Sequence, residues 1–448
     1  MFHSAKSRLH VFIEANPLLI KLYKNAGILF GGNAVSAFLG LIALSILARS
    51  LGPENFGLYA LLTAYIALID RLVSFQTWQA LIHYGAKALQ GGQHERLSSL
   101  FVFGWLLDLG SGLAGTILAL GGAYFLSSYF GIASVPISVI WIAVSVLFFN
   151  WVSTPTAVLR LYDKFSHQAV YLNLSAALKL IGYLLLWLGG YREIQHYIAV
   201  WAVCTVIGRL YLFGMAWAVA ARNGLLKHAH INLPLMIRET PGIWHFVLTT
   251  NLDGIVRILR DVDIFIVNSV LGPSGAGLYR IARDLARIPT QLTGPFYQAI
   301  YPDLSRLAAN RQFSDFIRLM RQSSFSLGLI VSMGWLVFVL AGKWIIALAF
   351  GEIYVPAYIA SIWCMGAVMI WAFAQPLSPA MLSLGKVRIN LAVHFFTSFA
   401  YLLMLWFTVN AFGLTGAGVA LFLFYALWSS SMLVFFLRSM RSAKSDGI

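Results

Sequence analysis

Apolar runs of about 20 residues recur along the whole of this chain, and a run of that length is what an α-helix needs to cross the hydrocarbon core of a bilayer. Twelve can be placed, near residues 27–48, 57–82, 99–126, 136–159, 169–189, 195–220, 244–271, 277–301, 322–342, 358–383, 389–410 and 416–437. The roughly 10-residue alternation of a membrane β-barrel is missing. Of the 448 residues 10% are charged and 60% hydrophobic, whereas an ordinary soluble domain is about 25% charged. The expected fold class is an all-α polytopic membrane protein of about 12 transmembrane helices.

Twelve is even, so both ends lie on one side. With the ends inside, 20 lysines and arginines fall in cytoplasmic loops and termini, against Arg49, Arg192 and Lys343 outside. The positive-inside rule therefore places both termini in the cytoplasm of a multi-pass protein of the cell inner membrane. The net charge of +15 is spread through these loops and forms no soluble basic patch, so nucleic acid is not an expected partner. Residues 1–26 read as an interfacial segment, 221–243 as a cytoplasmic linker and 438–448 as a cytoplasmic tail. The stretch from Asp303 to Gln322 sets Phe313, Phe316, Ile317 and Met320 among arginines, as if lying on the inner membrane surface.

No loop is long enough for a soluble catalytic module, and no Gly-x-x-x-x-Gly-Lys-Ser/Thr phosphate loop occurs. An enzyme is not expected. Cys204 and Cys364 sit singly in separate apolar segments, which gives neither a disulfide framework nor a metal site; no cofactor is called for.

An internal repeat divides the chain. Leu51-Gly52-Pro53, with Gly57-Leu58-Tyr59 after it, recurs as Leu271-Gly272-Pro273 with Gly277-Leu278-Tyr279, displaced by 220 residues. Trp151 and Pro155 are echoed by Trp371 and Pro376. Gly and Pro permit a tight turn outside the membrane, and the Tyr after each turn reads as an interface aromatic. Two six-helix lobes, 27–220 and 244–437, follow. Because six is even they share one orientation, related by a pseudo-twofold axis along the membrane normal, and this plan puts a binding site between the halves. Prolines 155, 289, 295, 376 and 379 fall inside spans and should bend them.

The stretch Ala48-Arg49-Ser50-Leu51-Gly52-Pro53-Glu54-Asn55-Phe56-Gly57-Leu58-Tyr59, with Asp263-Ile264-Phe265-Ile266-Val267 before the second turn and Tyr301-Pro302-Asp303-Leu304-Ser305 beyond it, resembles the polysaccharide transporter family. That family includes the O-antigen flippases and belongs with lipid II flippases and multidrug and toxin extruders. The resemblance implies a cavity between two lobes that opens alternately inward and outward, moving an undecaprenyl-diphosphate-linked oligosaccharide across a bacterial cytoplasmic membrane for surface polysaccharide (lipopolysaccharide O-antigen) assembly. The implied partners are that lipid-linked oligosaccharide, membrane lipids and other glycan-assembly proteins. The length leaves no room for the two extra spans usual in lipid II flippases.

The seventh and eighth spans carry Arg257, Arg260, Arg280, Arg283 and Arg287 beside Asp253, Asp261, Asp263 and Asp284. A charge at the bilayer centre costs at least about 2.5–3.5 kcal/mol, so these groups must face a protein interior or a watered cavity. Their spacing puts one polar stripe on each helix, and Asp253 with Arg257, Arg257 with Asp261, and Arg280 with Asp284 are spaced to pair. Five arginines exceed four aspartates, so an anion is the expected ligand, and guanidinium binds phosphate oxygens bidentately. The expected diphosphate site is Arg283 and Arg287, helped by Arg257, Arg260, Arg280 and Arg71 of the second span. Asp253, Asp261, Asp263 and Asp284 either balance these arginines or, with Asp70 and Asp108, couple transport to an ion gradient. The alternative is a cation-coupled exporter of small amphipathic molecules, which would need an acidic or aromatic cavity.

Overall fold

The computed structural model describes residues 17–75, 77–226, 242–245, 247, 258 and 260–445. Asp253 and Arg257, with much of the first part of the seventh span and most of the linker, lie outside the described residues.

Among the described residues there are twelve α-helices and no strand. In chain order they are α1 (Pro17–Val73), α2 (Thr77–Gln90), α3 (His94–Leu126), α4 (Ile137–Phe148), α5 (Ser153–Leu161), α6 (Phe165–Leu188), α7 (Ile194–Arg222), α8 (Asp263–Ala309), α9 (Phe313–Phe350), α10 (Ala357–Ala374), α11 (Leu377–Ser383) and α12 (Val387–Ser445). Eight stretches are long and apolar enough to cross a membrane. Two of them, Phe30–Val73 and Val387–Met440, span 44 and 54 residues. At a rise of about 1.5 Å per residue each is long enough to cross twice. α8 is not among the eight, because its charges lower its hydropathy.

The long helices are joined pairs. α1 breaks at Gly52 (φ 71°, ψ 169°) and α8 at Gly272 (φ 69°, ψ −177°), a backbone region open only to glycine. The repeat thus extends from motif to dihedral angle. Other residues with positive φ recur at nearly the same displacement: Gly92 with Arg311, Gly131 with Gly351, and Gly190 with Gly413. Among the described residues the fold is two helical lobes in pseudo-twofold relation.

Helices are interrupted where the sequence suggested only bends. α4 and α5 are separate, with Pro155 in the first turn of α5, and Pro376 caps α11 after α10 ends. Proline suits the start of a helix, where its missing N–H is not needed. The second span is likewise cut between α1 and α2. Two expectations are corrected. The stretch Asp303–Gln322 is no free surface helix: it ends α8 and begins α9, and Phe316 is buried in a cluster with Leu304, Trp428 and Phe436 while Phe313, Ile317 and Met320 pack on it. Tyr59 and Tyr279 are no interface anchors either, being 7% and 1% exposed inside their lobes.

The lobes meet on the side of the two Leu-Gly-Pro turns. A Cβ on Gly57 would run into the Pro273 carbonyl oxygen, and one on Gly277 would lie 2.5 Å from that of Pro53. Tyr354 Oη donates to Ala48 O at 2.7 Å, and the Phe56 and Tyr354 rings pack edge to face. Arg49 Nε donates to Ala349 O at 2.9 Å, and its Nη2 to the carbonyls of Leu348 and Ala347. These are carbonyls of the last turn of α9, where a cation is also favoured by the helix dipole.

Candidate functional site

The break at Gly272 lets α8 fold back on itself, so Asp263 on its first turn meets Tyr279 and Arg283 on its second half. The Asp263 carboxylate, 3% exposed as a residue, accepts from Tyr279 Oη at 2.7 Å and Tyr401 Oη at 3.0 Å, and pairs with Arg283 Nη1 at 3.0 Å. The residue after Arg283, Asp284, is shared: Arg280 Nε lies 2.6 Å from one oxygen and Arg287 Nη1 3.1 Å from the other. Arg71, on the other lobe, reaches across to form an ion pair with Asp261. Arg260 stands over the Phe424 ring with its guanidinium carbon 5.9 Å from the centroid. A guanidinium so placed keeps its N–H edge free.

These groups surround space. Among the described residues, a cavity of about 400 Å³ is lined by Arg71, Arg260, Arg283 and Arg287, with Asp261 as the one carboxylate, beside Thr290 and Tyr425. A second, of about 560 Å³, lies between the first half of α1 and α8, lined by Asn33, Ser36, Arg280, Asp284 and Arg287 among others. Arg287 borders both, with half its side chain exposed.

Asp70 and Asp108 are not brought to this cluster. Asp70 accepts from Ser74 Oγ at 2.7 Å and from the Asn150 amide, so it is turned away from its neighbour Arg71. Asp108, 4% exposed, accepts from the Thr154 backbone N–H at 2.9 Å and faces Thr77 Oγ1 at 3.4 Å. Both line a separate cavity of about 420 Å³ inside the first lobe, together with Arg160 and Arg209.

Sequence reasoning missed a third group. Tyr59 and Tyr183 share a hydrogen bond of 2.9 Å, matching the 3.2 Å contact of Tyr279 with Tyr401 in the second lobe. Beside them Lys179 lines a cavity of about 370 Å³. The available signal was Lys179 itself, the one lysine of a 24-residue apolar helix.

Two broken-helix lobes around polar cavities, with a cluster of arginines between them, make the architecture of a multi-pass membrane transporter. The structure resembles that of the lipid II flippase MurJ in an inward closed conformation, with a TM-score of 0.71, 16% identity, and coverage of 93% of this chain and 90% of that one. The profile of the polysaccharide biosynthesis protein family matches residues 46–359, and the chain belongs to that family. It is 29% identical to inner membrane protein YghQ of Escherichia coli strain K12, over 75% of this chain and 94% of that protein. It is 23% identical to a putative O-antigen transporter of Shigella flexneri, over 87% and 91%.

Proposed function

We propose that the protein is a flippase that carries an undecaprenyl-diphosphate-linked oligosaccharide across the bacterial cytoplasmic membrane by alternating access. The observation that carries this reading is the 400 Å³ cavity with four guanidinium groups and one carboxylate among the described residues of its wall. Such a surplus of fixed positive charge in a low-dielectric site suits a diphosphate, and planar donors match its oxygens. It disfavours a cationic drug, which sets aside the exporter reading. The 23% identity to a putative O-antigen transporter supports the same assignment.

Within the cluster the roles divide. Arg283 is held by Asp263, and Arg71 by Asp261. Arg260, over Phe424, and Arg287, which gives Nη1 to Asp284 but keeps half its side chain exposed, are assigned to the diphosphate, with Arg71, Arg280 and Arg283 setting the surrounding field. The gap between α1 and α8 would admit the headgroup while the prenyl tail stays in lipid. With both termini in the cytoplasm, the closed side of the two turns is the outer side, and loading is from within. If an ion gradient drives return, Asp70 and Asp108 are its seats, because the described acids of the second-lobe cluster are already neutralised by arginine.

The test is purified protein in liposomes loaded with a lipid-linked oligosaccharide. Arg260→Ala with Arg287→Ala is expected to cut translocation by at least about tenfold, the weight of one charge-assisted contact, with an unchanged melting temperature. Full transport by a well-folded double variant would overturn the assignment.

A further inference from the structure

The repeat compares the lobes position by position. Displaced by 220 residues, Ala43 and Thr63 stand where Asp263 and Arg283 stand in the second lobe. The tyrosine pair is kept, as Tyr59 with Tyr183. In the second lobe a carboxylate and a guanidinium fill the space beside that pair. In the first lobe a methyl and a small hydroxyl leave it vacant, and the cavity of about 370 Å³ lies there, with Ala43, Thr63, Tyr171, Lys179 and Trp201 in its lining.

Lys179 brings the charge to this chamber. No carboxylate among the described residues lies in ion-pair distance of it, and none lines the chamber. The next cation, Arg209, has no acid partner among the described residues either: its Nη1 goes to the Val146 carbonyl and its buried Nε has no partner among them. An ammonium in such a place calls for an anion, since removing a charge from water without a counter-charge is costly. Tyr171 and Trp201 add aromatic faces of the kind that pack on sugar rings. The chamber also shares Ser36, Gly40 and Arg280 with the α1–α8 cavity, so it adjoins the proposed diphosphate site.

We infer that the Lys179 chamber receives a negatively charged substituent on a sugar next to the diphosphate, so that the transported glycan is acidic. This rests on the diphosphate reading given above. The competing source of negative charge is the diphosphate itself, and the experiment separates the two.

Binding to detergent-purified protein would be measured for three probes: a short polyprenyl diphosphate alone, the same lipid bearing one hexuronate, and the same lipid bearing one neutral hexose. Wild type is expected to bind the hexuronate about tenfold more tightly than the hexose, the effect of one charge-assisted hydrogen bond. Lys179→Met should abolish that preference, leave the other two probes within about twofold of wild type, and melt no lower. Lys179→Arg should keep the preference. An intact preference in Lys179→Met, or an equal loss for all three probes, would overturn the inference, the latter assigning Lys179 to the diphosphate. Failure of wild type to bind the sugarless diphosphate would instead bring down the arginine assignment, and this inference with it.

Discussion

Asp263 holds more of the second lobe together than its size suggests. One carboxylate accepts from two tyrosine hydroxyls and pairs with one arginine, all inside the lobe. Breaking a buried pair by removing one partner costs about 3–5 kcal/mol, because the remaining charge is left in low dielectric, whereas removing both is far milder. Asp263→Ala should therefore lower the melting temperature sharply, and the double variant Asp263→Ala with Arg283→Met should recover most of it; equal melting of the single variant and wild type would refute the account. The pairing of Arg280 with Asp284 was legible in the sequence because four residues along one helix fix the geometry. That of Asp263 with Arg283 was not, since 20 residues and a break at Gly272 separate them. Nor was that of Arg71 with Asp261, which depends on how two lobes meet.

At the scale of elements, the turns that carry the repeat are also the hinge of contact between the lobes. Gly57 and Gly277 face the carbonyls of Pro273 and Pro53, with no room for a methyl group. Overpacking such a site costs about 1–3 kcal/mol and is relieved by moving backbone. Gly57→Ala or Gly277→Ala is expected to part the lobes on this side, raising the labelling of Cys in a Ser45→Cys protein by an impermeant thiol reagent. Unaltered labelling would mean that the contact is loose. The turns themselves were readable from Gly and Pro at matched positions, but the gap between α4 and α5 was not. No glycine marks it, and the Asn150 side chain there donates to Asp70 and Ser74 across the lobe, a tertiary bond that local sequence does not announce.

Across the whole molecule, the closed seam between the lobes and the arginine cavity lie apart. The turn side is closed by Arg49 on the carbonyls at the end of α9, by Tyr354 on Ala48 and by the two glycine turns, while the arginine cavity lies deeper, at the Arg71–Asp261 bridge. The helical class and the twofold plan followed from hydropathy and repeat, which are read along the chain; the closed face did not, since Arg49 reads as an ordinary loop arginine until α9 is placed against it. A rocking carrier must break this face once per cycle. Ser45 touches the Ala349 carbonyl across the seam, so Ser45→Cys with Ala349→Cys should bridge on oxidation if the Cα atoms fall within the range of about 4.4–6.8 Å that a disulfide needs. The oxidised protein is expected to bind polyprenyl diphosphate as wild type does, because the arginines remain accessible from the other side, yet to move no lipid-linked oligosaccharide until a reductant is added. Transport at the full rate with the bridge intact would show that the lobes need not separate here, and the alternating-access mechanism would have to give way to a path that leaves this face shut.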